Sequence, residues 1–316
     1  MSIIDKVLQR EEFIADPPVL IDVGASERIH KKWKSISKHC VCIAFDADER
    51  EFGFIVKENS KFKKLYVYNC ILSDKSGEVT DFYLTKSPYC SSLLEPNLNS
   101  LQHLAYSDSF KVEKIVRLKT VDLQFVLNEL KINRVDWFKT DSQGIDLRLF
   151  KSLGGEIINK VLAVEFEPGI IDAYIGEDKL HSILSFIDSL GTFWMSELKI
   201  KGTARINSKT LATLYPNKIL KKLVMYSLKE SPCWGEITYL NSFNNSFSLR
   251  EYLLGWVFAT IQKQHGFAYN IAQQGLDLFK EKIFNDLLKY SGRQIRMNIL
   301  KIKFLPAVFV KISKMF

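Results

Sequence analysis

Val19-Leu20-Ile21-Asp22-Val23-Gly24-Ala25 is an apolar run that ends in a carboxylate and a glycine. A strand buried on both faces reads this way, and in an open parallel sheet such a tip faces the ligand crevice. After a short helical interval comes a second run, Val41-Cys42-Ile43-Ala44-Phe45, stopped by Asp46-Ala47-Asp48-Glu49. Two strands in succession therefore deliver acidic tips. A glycine at the first lets a ligand approach the backbone, while a carboxylate at the second accepts both hydroxyl protons of a ribose. Asp22, Gly24, Ala25, Asp46 and Ala47 are thus the first candidate cofactor-binding residues. Beyond Gly24 the chain runs Ala25-Ser26-Glu27-Arg28-Ile29-His30, without the glycines that seat a pyrophosphate on a helix start. S-adenosylmethionine, a nucleoside cofactor with no phosphate, suits these residues better than a dinucleotide.

Around this pair the first half of the chain alternates strand-like and helix-like segments, which predicts an α/β, doubly wound, mostly parallel sheet. The patterning places strands at 19–23, 41–45, 65–71, 115–118, 135–139 and 161–166. Closing antiparallel strands are expected at 193–200 and 223–227. Helices are expected at 3–14, 48–56, 121–130, 144–153 and 180–190. Residues 78–84, after the turn residue Gly77, read as a hairpin-like extension. Residues 85–111 are polar and Ser/Asn-rich, too long for a plain connection, so they are expected to cover something. Ser87-Pro88-Tyr89-Cys90-Ser91-Ser92 within them suits a lid, an acceptor wall or an ordinary surface loop. From residue 248 the chain reads as helical. The resulting domain division is an S-adenosylmethionine-binding domain over 1–245 and a helical extension with a basic tail over 246–316.

With 316 residues, 47% of them hydrophobic, the chain is long enough for a substantial core and is not a disordered composition. Its five cysteines lack the paired spacing of a zinc site, and the charged residues Asp5, Lys6, Arg10, Glu11 and Glu12 interrupt any signal-peptide core. A reducing, cytoplasmic setting is expected. No uninterrupted membrane-spanning run occurs, and the five histidines share no ligand spacing, so no metal is called for. The net charge of +8 is concentrated at the end, where residues 293–316 carry Arg293, Arg296, Lys301, Lys303, Lys311 and Lys314 and no acid. Ile295, Ile299 and Ile302 can share one helical face there before Pro306. That face suits peripheral contact with an anionic membrane or, the first expectation, docking on the domain or on a second subunit.

The fourth strand ends Trp137-Phe138-Lys139-Thr140-Asp141-Ser142-Gln143-Gly144, and Val164-Glu165-Phe166-Glu167 closes the fifth. With Ile21-Asp22-Val23-Gly24-Ala25, Phe45-Asp46-Ala47-Asp48, Leu72-Ser73-Asp74-Lys75-Ser76-Gly77 and Lys119-Thr120-Val121-Asp122, these six motifs in this order resemble the FkbM-type methyltransferases. The likeness spans roughly residues 15–200. It implies a seven-stranded Rossmann-like methyltransferase sheet, S-adenosylmethionine as cofactor, and Ser73 and Asp74 near the adenine. Departures from the family pattern are Ser26 and Glu27 after the first tip, Ala47 at the second, and Gln143 and Asp146 where acidic residues are usual.

A neutral Gln143 cannot serve as a base, which leaves Asp141, Glu165 and Glu167, in that order, as candidate catalytic carboxylates toward an acceptor hydroxyl. The plainer readings are a helix cap for Asp141 and Asp22, a surface ion pair for Glu165, and a turn for Ser73 and Asp74. The expected activity is O-methylation of a hydroxyl on a carbohydrate, such as a surface glycan or lipid-linked sugar, or on another small metabolite. A nucleic-acid methyltransferase and a catalytically silent assembly protein are the alternatives, although the chain has no recognised nucleic-acid reader module.

Overall fold

The structure, a computed structural model, describes residues 1–25, 29–47 and 61–300. The expected helix at 48–56, the residues Ser26, Glu27 and Asp48, and the tail beyond residue 300 lie outside the described residues. The chain divides into two compact units, one of Ala15–Asn244 and one that joins Met1–Ile14 to the residues from Asn245 onward. The first fourteen residues, which the sequence reading assigned to the cofactor-binding domain, therefore cluster with the C-terminal helices.

In the larger unit β1 (Val19–Val23), β2 (Val41–Asp46) and β3 (Lys64–Asn69) run parallel, Val19 opposite Val41 and Val41 opposite Lys64. A second, smaller sheet holds β4 (Ile71–Leu72), β5 (Val79–Thr85) and β6 (Val112–Val121) in the order β4-β6-β5. The main sheet resumes with β7 (Trp137–Thr140) and β8 (Ala163–Phe166), and closes with the antiparallel pair β9 (Phe193–Ala204) and β10 (Glu230–Asn241). Among the described residues it has seven strands, ordered β3-β2-β1-β7-β8-β10-β9. This is the doubly wound, mostly parallel methyltransferase-type sheet expected from the sequence.

Several boundaries differ for physical reasons. The predicted strand 65–71 breaks at Cys70, and Ile71 and Leu72 leave for the small sheet, where they pair with Thr120 and Val121. The predicted strand 223–227 is instead the end of a helix, Lys218–Ser227, whose start is capped by the Asn217 side chain accepting from the amides of Ile219 and Leu220. A short apolar run carries no period of its own to separate helix from strand, and the cap decides it. The predicted helix 3–14 is two helices, Ile3–Leu8 and Glu11–Ala15.

Strand alternation assigns the two faces of the sheet different chemistry. Val19, Ile21 and Val23 of β1 join Ile43, Phe138 and Val164 in one apolar cluster. Helices Leu123–Glu129, Asp146–Ser152 and Leu180–Leu190 cover that face with Leu127, Phe150 and Ile183. The alternate positions carry a polar row, in which Asp22 lies opposite Lys139, Lys139 opposite Glu165, and Glu165 opposite Thr238. Lys139 Nζ is 2.9 Å from the fully buried Asp22 carboxylate and donates to the carbonyls of Val23 and Gly24. Burial alone would lower the pKa of this ammonium, but the Asp22 and Asp141 carboxylates reverse the effect and raise it. Glu165 accepts from Trp137 Nε1 at 3.1 Å and from Lys32 Nζ at 2.9 Å, and lies 3.0 Å from His30 Nε2.

In the smaller unit, helix Leu249–Ile261 is buried nearly all round and packs along His265–Phe279, which packs in turn along Ile283–Leu300; Trp256 Nε1 donates to Ser291 Oγ of the last at 2.9 Å. A Cβ on Gly275 would lie 2.3 Å from the Phe284 ring, so the close approach of the latter two helices requires the glycine.

Removing one member of a buried ion pair leaves the other charged in low dielectric, typically a loss of about 3–5 kcal/mol. Lys139→Met is therefore expected to lower the unfolding free energy by about that amount, measured by denaturant titration. Adding Asp22→Asn should recover part of the loss, and additive losses would contradict the pairing.

Candidate active site

The tips of β1, β2 and β7 meet around a narrow cleft. Gly24 has φ +72°, and a Cβ there would stand 2.1 Å from the Asp141 carbonyl oxygen. Only glycine permits this approach of the β1 and β7 tips. The amides of Gly24 and Ala25 both donate to the Phe45 carbonyl, and the Asp141 amide donates to that of Val23. The cleft wall combines Gly24, Asp46 and Ala47 with apolar Leu72, Phe82 and Leu93, and closes on Asp141 and Ser142. A carboxylate at one strand tip beside an apolar wall matches the chemistry of an adenosyl group, the carboxylate for ribose hydroxyls and the wall for the base. The free volume is about 70 Å³.

Asp141 also borders a second cavity of about 380 Å³, within the ~300–1,000 Å³ range of small-molecule sites. Its walls come from the 85–111 segment (Tyr89, Tyr106, Phe110) and from Tyr174 and Trp234. Ring centroids step from Trp234 to Tyr106 (6.2 Å), to Phe110 (5.5 Å) and to Tyr174 (5.5 Å), a continuous aromatic wall. Polar groups in the cavity include Ser109, Asp141, Gln143, Glu167 and Glu177.

The acid groups are held by a chain of bonds. Gln143, at φ +57°, donates from Nε2 to Asp141 Oδ1 at 2.5 Å, and Tyr174 Oη lies 2.9 Å from Gln143 Oε1. Behind them the buried Asp146 accepts from Thr140 Oγ1 (2.9 Å), the Ser142 amide (2.8 Å) and the Glu167 amide (3.0 Å), and from the Ser142 hydroxyl. One carboxylate thus ties the tip of β7, which bears Asp141, to the end of β8, which bears Glu167. Burial and the neighbouring Asp141 push the Glu167 carboxyl up to about 9. Burial also raises Asp141, though Lys139 and the Gln143 amide oppose the shift. At neutral pH Glu167 therefore keeps its proton. Burial raises Glu177 as well, against the nearby Lys179 ammonium and a bond from the Ala173 amide.

The structure brings Gly24, Asp46, Ala47 and Asp141 together in one cleft, and Asp141 and Glu167 in the adjoining cavity. It does not bring the other candidates to either wall. Asp22 is fully buried beneath the tip, where it holds Lys139 and the His30 amide, and so positions the β1 tip without facing the cleft. Ala25 is buried behind Gly24. Ser73 bonds Asp74 and, through its amide, Val121 O, next to the cleft residue Leu72; both belong to the turn. Glu165 is spent in the polar row, where burial is outweighed by His30 and Lys32 and its carboxyl falls to about 2. The sequence reading missed Tyr106, Tyr174 and Trp234, although aromatic residues inside an otherwise polar loop were a usable signal for the 85–111 segment.

Residues 22–192, more than half of the chain, match the family model described as the methyltransferase FkbM domain. Among solved structures, a precorrin-6y C5,15-methyltransferase from Geobacter metallireducens GS-15 is similar at 10% sequence identity and a TM-score of 0.32, covering 76% of this chain and 86% of that one. No curated protein matches.

Because the folded-state pKa of Glu167 lies above its ordinary 4.5, folding is favoured by the proton it keeps. That contribution is lost as pH rises from the ordinary carboxylate range through about 9. Glu167→Gln, which stays neutral, is expected to gain in melting temperature relative to wild type as pH rises from acid to alkaline. A constant gap across that window in thermal denaturation would refute the assignment.

Proposed function

Since this chain belongs to the FkbM methyltransferase family, we propose that it is an S-adenosylmethionine-dependent O-methyltransferase whose acceptor is a hydroxyl of a carbohydrate or similar polyhydroxylated small molecule. The observation that carries the reading is the position of Asp141, which borders both the Asp46 cleft and the aromatic cavity. A group bound in the first and a group bound in the second would meet at this carboxylate.

Asp46 and Gly24 would hold the cofactor, Asp46 at the ribose hydroxyls and Gly24 by allowing close backbone approach. When bound, S-adenosylmethionine supplies a methyl group already activated on a sulfonium, so the protein has chiefly to align the acceptor and exclude water. Asp141 Oδ accepts the proton of the acceptor hydroxyl as the oxygen becomes nucleophilic. Gln143 fixes the orientation of that carboxylate, and protonated Glu167 donates a hydrogen bond without adding a second negative charge. The aromatic wall from Trp234 to Tyr174 offers ring faces to the apolar C–H faces of a sugar, while Glu177 and Gln143 suit its hydroxyls. Among the described residues no Lys or Arg lines the acceptor cavity, which weighs against a nucleic-acid backbone as the group bound there.

Incubation with labelled cofactor and fractionated cell extract, scored for the fraction that gains label, tests the acceptor; label in a carbohydrate fraction is the expected result. Asp141→Asn should lower kcat about 10²–10⁴-fold with cofactor binding retained. Asp46→Ala should abolish the binding heat of S-adenosylmethionine in calorimetry. No heat from the wild-type protein would overturn the enzymatic reading and favour an assembly role.

A further inference from the structure

We propose that the segment joining β9 to β10 lays this protein on an anionic lipid bilayer. Residues 205–229 contain Arg205, Lys209, Lys218, Lys221, Lys222 and Lys229 and no acidic residue. Within them helix Lys218–Ser227 buries none of its residues, although six of its ten are Ile, Leu, Val, Met or Tyr. Ile219, Leu223 and Tyr226 follow one another at helical spacing and are 73%, 59% and 78% exposed, with Leu220 beside them at 53%. An amphipathic helix on a globular domain ordinarily turns its apolar stripe inward. Here the inward contacts are the half-buried Lys221, Val224 and Met225, and the bulkiest apolar side chains face outward. The preceding helix, Ser208–Leu214, repeats the arrangement, anchored through the buried Leu211 while Leu214 stands 61% exposed.

Charge selects the occupant. A second copy meeting this patch face to face would set the same cations against themselves. Nucleic acid would satisfy the lysines but leave an outward Ile and Leu stripe with nothing apolar to enter. An anionic bilayer answers both features, since the stripe inserts at the headgroup boundary with its tyrosine at the interface, and the flanking lysines meet anionic lipid. No helix among the described residues is long and apolar enough to cross a membrane, so the contact is peripheral. This surface lies outside both cavities and stands independently of the proposed methyl transfer.

The test is sedimentation of the full chain with phosphatidylcholine vesicles, with and without phosphatidylserine. Wild type should pellet with the anionic vesicles only, less so at raised salt, and I219E/L223E and K218E/K222E should each reduce the bound fraction about tenfold or more. Tyr226→Trp should show an emission blue shift on anionic vesicles, a readout that does not need the double variants. Equal binding to neutral vesicles, or double variants that pellet like wild type, would overturn the proposal. So would self-association of wild type that I219E/L223E abolishes in analytical ultracentrifugation, which assigns the patch to a second copy.

Discussion

The row of charges that crosses the sheet from Asp22 through Lys139 to Glu165 is the constraint on which the site depends. Asp22 is balanced by Lys139 on the neighbouring strand, and Glu165 by Lys32 and His30 packed over the sheet, so a slip in the pairing of β1 and β7 would leave Asp22 and Lys139 apart. Hydrophobic contacts on the opposite face tolerate approximate fit; this row does not. Its effect is to fix the register in which three strand tips finish, and therefore where Gly24, Asp141 and Glu167 stand. Asp146 then completes the arrangement by bonding both the β7 tip and the Glu167 amide.

Position and burial assign different tasks to the carboxylates that the strands supply. Asp22, Asp146 and Glu165 hold strands and tips together, whereas Asp46, Asp141 and Glu167 face cavities. Proximity in sequence does not separate these groups, because Asp141 and Asp146 lie on the same turn, and Glu165 and Glu167 are only two residues apart. What separates them is the number of donors around each: Asp146 accepts from three residues and Glu165 has Trp137, Lys32 and His30 about it.

This explains how far the sequence could be read. The β1 and β2 strands were legible because apolar runs ending in acid are buried parallel strands with exposed tips, and Gly24 and Asp46 followed from that. Asp22 read as a cofactor ligand and Glu165 as a catalytic carboxylate because their bonding partners, Lys139 in one case and Lys32 and His30 in the other, are distant in sequence and become neighbours only through the fold. The 223–227 run was misread because so short an apolar stretch carries no period of its own, and the Asn217 cap that starts its helix lies upstream of it. The aromatic wall was hidden by the same non-locality, since its rings come from the 85–111 segment, the loop after β8 and the start of β10.

The placing of Asp141 between two chambers has an effect that neither chamber would have alone. A cation beside that carboxylate favours its ionised form, and the ionised form favours the cation to the same degree, since thermodynamic linkage is reciprocal. In the proposed reaction the ionised form is also the one that would draw a hydroxyl proton from the other side, so charge in one compartment would prime the other. On that reading, conversion of a bound sulfonium to a neutral thioether would remove this mutual reinforcement, and both occupants would be held less firmly. A single shared wall would thereby give the molecule a built-in means of clearing itself for the next turnover.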